Sequence, residues 1–129
     1  MNSKLFVIAG AISMIAFAIA VAAVGEWRAP ARAAAKKNPV PADAASIARG
    51  KAVYASQCAS YHGNSGRGEG PAAKSLEKSP GDLTKLRGQS DGELFWKITE
   101  GKKPMASYAA TLSEQQRWDV VNYLRILGK

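Results

Sequence analysis

A lone cysteine and a lone histidine, Cys58 and His62, are the tightest constraint on what this 129-residue chain can fold into. One cysteine cannot close an internal disulfide, and one of each cannot fill the four positions of a structural zinc site. The N-terminal quarter is hydrophobic or proline-rich, which leaves about 85 residues for a folded body with a limited apolar core. Domains of that size usually need a disulfide, a metal or a partner. The chain holds no such staple of its own.

Leu5 to Val24 carries no charge and consists almost wholly of Ala, Val, Ile, Phe, Leu and Met. At 1.5 Å per residue a helix of that length covers about 30 Å, the thickness of a bilayer core. Lys4 precedes it as a short positive region, so residues 1–25 read as a signal anchor or a cleaved signal peptide. The length exceeds the roughly 7–15 residues of an export h-region and favours the anchor, while Ala20-Val21-Ala22 followed by Ala23 offers a cleavage site. Arg28, Arg32, Lys36 and Lys37 follow the run, although positive charge normally stays on the cytoplasmic side. Residues 26–42 are rich in Ala, carry Pro30, Pro39 and Pro41, and show no amphipathic period, which predicts a basic tether in extended or turn conformations. The body is residues 43–129.

Asp43 is placed to cap a helix running to about Ser60, with Ile47, Gly50, Val53 and Tyr54 at helical spacings. Gly50 costs helix stability unless another element packs closely against it. A glycine-rich stretch follows His62, from Gly63 through Gly81, with few reasons to be regular. Ser90 or Asp91 opens a short helix through Leu94, Phe95 and Ile98 that Gly101 ends. After a loop with Pro104, Met105 and Tyr108, Ser113 and Gln116 form a capping box for a last helix carrying Trp118, Val121, Leu124 and Leu127. No segment alternates like a strand. The expectation is an all-α body of three to five short helices, with loops too long for so small a domain unless they wrap something.

Cys58 and His62 stand at i and i+4, side by side on one helical face. A porphyrin fits that geometry, with the imidazole on iron and the sulfur at the ring edge. The run Gly50-Lys51-Ala52-Val53-Tyr54 through Cys58-Ala59-Ser60-Tyr61-His62-Gly63 resembles the first helix and attachment motif of class I c-type cytochromes, whose signature is C-x-x-C-H. Tyr61 occupies the second cysteine position. Gly101-Lys102-Lys103-Pro104-Met105 resembles the loop that carries the family's methionine ligand, though Ala106 follows the methionine where the family often has proline. Leu112-Ser113-Glu114, Arg117-Trp118 and Val121-Asn122-Tyr123-Leu124-Arg125 resemble its C-terminal helix, and Gly50 and Tyr123 match positions where first and last helices cross.

That resemblance implies a small cytochrome c-like fold around one haem c, its iron held by His62 and Met105 and its ring joined to Cys58 by a single thioether. Trp96, Tyr108 and Trp118 would then pack around the cofactor. With both axial positions filled, the iron has no open site for substrate, which points to a single-electron carrier between redox partners and not to an enzyme. Two alternatives remain. An unbound Met105 would open the iron to a small gas or peroxide, giving a sensor or weak peroxidase. A haem-free relic would serve as an interaction module.

The whole chain carries a net charge of +8, and residues 43–129 hold 13 Lys plus Arg against 9 Asp plus Glu, leaving +4. Lys97, Lys102 and Lys103 predict a basic rim that steers an acidic partner to the haem edge. The basic residues after the leader would meet anionic lipid. Nucleic acid is an unsuitable partner, because the excess charge is not ordered along any helix. The resemblance places the haem domain in the periplasm, anchored to the cell membrane through residues 5–24 or exported if the leader is cut.

Overall fold

The computed structural model describes residues 26–129, and the leader of residues 1–25 lies outside them. Among the described residues five helices occur in order: α1 (Ala31–Ala34), α2 (Ala44–Gln57), α3 (Ala59–His62), α4 (Asp91–Glu100) and α5 (Glu114–Leu124). Two 3-10 turns, Pro71–Ser75 and Leu83–Lys85, interrupt the long loop between α3 and α4. Among the described residues there is no strand, only an isolated bridge between Lys102 and Met105. None of the described helices is long and apolar enough to cross a membrane.

Local chemistry sets the helix boundaries. The Asp43 carboxylate accepts from the Ser46 amide, and the Ser90 hydroxyl from the Glu93 amide, so α2 and α4 start where the caps predict. Ser113 and Gln116 form both halves of their capping box at the start of α5. The first long helix stops earlier than expected. It ends at Gln57, and Cys58 departs from helical geometry at φ −119° before α3 resumes. The amide of His62 still donates to the Cys58 carbonyl at 3.0 Å, so the one-turn relation between the two residues survives the break. The last helix also ends early, at Leu124, yet Leu127 packs on the core from the turn beyond it.

α2 and α5 cross at Gly50. A Cβ there would sit 2.0 Å from the Asp119 carbonyl oxygen and 3.0 Å from the Tyr123 Cβ, so only glycine allows the approach. Around the crossing Tyr54, Leu94, Ile98, Val121 and Leu124 form one buried cluster, with Trp118 stacked on Phe95 at 3.9 Å between centroids. Asp119 and Asn122, the polar groups buried beside it on α5, are paired. Asp119 accepts from the Ser46 hydroxyl and from both the Nε and a terminal nitrogen of Arg49, while Asn122 donates to Ser46 and accepts from Asn38.

Residues 26–42 do not run as a free tether. Ala31–Ala34 form a helical turn packed on α4, and the Ser90 hydroxyl donates to the Ala34 carbonyl at 2.6 Å. Lys36 pairs with Glu114 at 3.1 Å and lies 4.7 Å from the Phe95 ring centroid. The prolines did exclude a long helix here, but periodicity carries no information about a segment that docks through single side chains.

Candidate functional site

The attachment segment is held from both sides. Cys58 closes α2 by donating its amide to the Tyr54 carbonyl, and the short turn of α3 carries Tyr61 and His62 onward. Tyr54, buried in the core, donates its hydroxyl to the Gly63 carbonyl at 2.6 Å and pins the chain just after His62. The glycine-rich loop then folds back. Gly68 donates to the His62 carbonyl and Gly70 to that of Tyr61, wrapping the turn that bears the imidazole.

Met105 comes from the opposite side on a tight turn. Lys102 and Met105 exchange amide hydrogen bonds at 3.1 and 2.8 Å, and Tyr108 donates its amide to the Ile98 carbonyl, so the loop is tied to itself and to α4. Gly101 starts it with φ +66°, and a Cβ there would lie 2.6 Å from the Ala106 carbonyl group. These ties hold the turn although no proline follows the methionine. The Tyr108 hydroxyl, donating to the Gln57 carbonyl at 2.8 Å, joins the loop to the end of α2.

Between the two sides lie two adjoining, largely apolar cavities of about 310 and 260 Å³. Cys58, His62 and Met105 line both, as do Trp27 and Gly81. The three residues singled out in the sequence, drawn from segments 47 positions apart, thus converge on one space. Burial pushes the Cys58 thiol up to about 11, so it is protonated at neutral pH. Burial also lowers the pKa of His62, against the smaller opposing pull of the Gly81 backbone. The His62 Nδ1 is buried with no hydrogen-bond partner in good geometry, and the Cys58 thiol is free. An apolar cradle with an imidazole, a thiol and a thioether facing it suits haem iron and a ring-edge bond. The residues present fit the group.

Other expectations fare differently. Tyr61 lines the larger cavity and stays exposed, at 43%. Tyr108 is a wall residue as expected, whereas Trp96 is absent from both walls and Trp118 is sealed in the core. Lys97 does not belong to an exposed rim. Its ammonium is largely buried, pairs with Glu93 at 3.0 Å and donates to Gln89 at 2.6 Å. Lys102 and Lys103 are exposed, and the sequence reading missed Lys78, an exposed lysine on the larger cavity's wall. It also missed Trp27. Neither carries a local signal, because each reaches the site from a separate loop.

Fold and site together define a c-type cytochrome domain, small, all-α and cytochrome c-like. A family model described as cytochrome c oxidase, cbb3-type, subunit III matches residues 45–124, and the chain belongs to that family. Membership implies haem c with its iron, and haem-based electron transfer. A solved structure of a Kuenenia stuttgartiensis reducing HAO-like protein complex contains a chain 30% identical to this one, with a TM-score of 0.65. The match covers 70% of this chain and 47% of that one, so the present chain spans about half the length of the protein it resembles. No curated protein matches it in sequence.

Proposed function

We propose that the protein is a single-electron carrier and not an enzyme, in which His62 and Met105 would hold the haem iron and Cys58 would supply the one covalent attachment. The convergence of Cys58, His62 and Met105 on shared cavity walls carries this reading. Haem bound there supplies a one-electron couple, and a soft thioether ligand favours the reduced iron. His62 is fixed by the Gly68 hydrogen bond to its own carbonyl and the Tyr54 bond to the carbonyl of Gly63, and Met105 by its reciprocal pair with Lys102. Such fixed ligands keep reorganisation small when charge changes. Tyr61 has no thiol to add to the ring, so retention rests on one covalent bond, two ligands and the apolar walls.

The partner is a redox protein presenting an acidic face to Lys102 and Lys103, which makes electron exchange slow as salt rises. Rates that ignore ionic strength would remove this docking mode. The haem domain faces the periplasm, held at the cell membrane through residues 5–24 or released if the leader is cut.

Absorption spectroscopy and haem-stained denaturing electrophoresis of the full chain test the assignment. The expected result is haem that survives acid extraction, is lost from the Cys58→Ala variant, and shows a weak sulfur-to-iron band that disappears in Met105→Ala. An unaltered spectrum in Met105→Ala points to an open iron site, as in a sensor or peroxidase. A purified chain with no Soret band after haem-replete expression overturns the carrier role.

A further inference from the structure

Trp27 belongs to a segment that sequence patterning assigns to a linker, yet it lines both cavities beside His62 and Met105. Its indole has its own seat. The Trp96 ring lies 6.3 Å away, tilted by 56°, and the Lys97 ammonium lies 5.5 Å from the indole centroid. Lys97 is in turn held by Glu93 and Gln89 and lines the smaller cavity with Trp27, so the indole rests on a fixed surface of α4.

The backbone behind the indole is fastened as well. Beyond the Ser90 and Glu114 contacts, Asn38 donates to Asn122 at 2.8 Å, and the Asn122 amide donates to the carbonyls of Val40 and Pro41. A Cβ on Gly92 would fall 2.3 Å from the Ala33 carbonyl oxygen, so α4 receives the segment at van der Waals distance. Four attachments at Ala34, Lys36, Asn38 and Val40 are more than a linker needs.

We infer that residues 26–42 form a strap whose Trp27 indole is a wall of the haem pocket, closing it against water and small ligands. This rests on the haem reading above and extends it to a residue outside the attachment motif and the methionine loop. An indole at this place matters more in a chain with Tyr61 where a second sulfur would stand, because the walls then supply more of the retention. Replacing it by alanine opens the pocket at the strap without touching Cys58, His62 or Met105.

The test uses the full chain, first without haem. Cys58 is the single thiol and lines both cavities with Trp27, so its rate of labelling by a maleimide reports how far the pocket is open. Trp27→Ala should label at least fivefold faster than the parent and Trp27→Phe close to it, at unchanged far-UV helicity. In the haem-bound chain Trp27→Ala should bind added imidazole at the iron several-fold faster, again with near recovery in Trp27→Phe. Should the alanine variant lose helicity, Trp27→Leu, smaller than indole but apolar, decides by the same two rates. Equal labelling and imidazole rates in parent and variants overturn the strap. A parent chain that takes up no haem overturns the carrier reading, while the thiol rates still decide whether Trp27 closes the cavity.

Discussion

Two single residues stand out against their settings, a glycine inside a helix at Gly50 and a tyrosine at the family's second cysteine position at Tyr61. At Gly50 the approach of α5 leaves no room for a methyl group, since the nearest obstacle is the Asp119 backbone oxygen at 2.0 Å and not a movable side chain. Gly50→Ala raises helix propensity but forces α2 and α5 apart, so a net loss of about 1–3 kcal/mol is expected. Urea unfolding of the full chain measures it, and a gain in stability would show that the crossing yields easily. At Tyr61 the family's second sulfur is missing while the backbone stays tied to its neighbours, the amide to Cys58 and the carbonyl to Gly70. Tyr61→Cys therefore places a thiol on a backbone already in position. A second thioether should form during assembly, moving the pyridine haemochrome maximum to shorter wavelength and raising the thermal midpoint; an unchanged haemochrome would mean that the vinyl group lies out of reach.

Among the elements, legibility followed the range of the interactions involved. The caps at Asp43, Ser90 and Ser113 were readable because each bonds within three residues of itself, and the Gly50 crossing because a glycine inside a helix demands a reason. Cys58 and His62 were readable through their spacing, and Met105 through its loop setting. The break at Cys58 was not, since Ala55–Ser60 holds no glycine or proline to mark it. The strap and Lys78 were invisible for a related reason, as their contacts join segments far apart along the chain. The methionine loop offers the clearest test at this scale. Gly101→Ala adds a Cβ at φ +66° and within 2.6 Å of Ala106, which should dislodge the turn that presents Met105. Haem should stay attached through Cys58 and His62 while the sulfur-to-iron band weakens and added imidazole binds more readily. A full-strength band would show that the Lys102–Met105 pair suffices to hold the ligand.

At the scale of the whole molecule the structure divides into a part that packs on itself and a part that packs around the cavity. Trp118 and Val121 are fully buried and line neither cavity, and α2 and α5 meet directly across Gly50. The glycine-rich loop of residues 63–82 and the turn of residues 102–106 have no such core of their own; many of their side chains face the cavity or solvent. Removing haem should therefore leave the helical crossing folded and loosen the loops, since local stability follows buried apolar contact. Amide hydrogen exchange on the haem-free full chain should find slow amides at Val120 to Tyr123 and in α2 near Tyr54. Amides of Gly68, Gly70 and Met105, slow when haem is bound, should exchange at least tenfold faster without it. The strap supplies an internal control, because its anchors at Ser90, Glu114 and Asn122 belong to the self-packed part, so its amides at Ala34 and Val40 should stay comparatively slow while the loops open. Uniform loss of protection across helices and loops would mean that the crossing cannot stand alone, and that the cofactor is the only staple this body has.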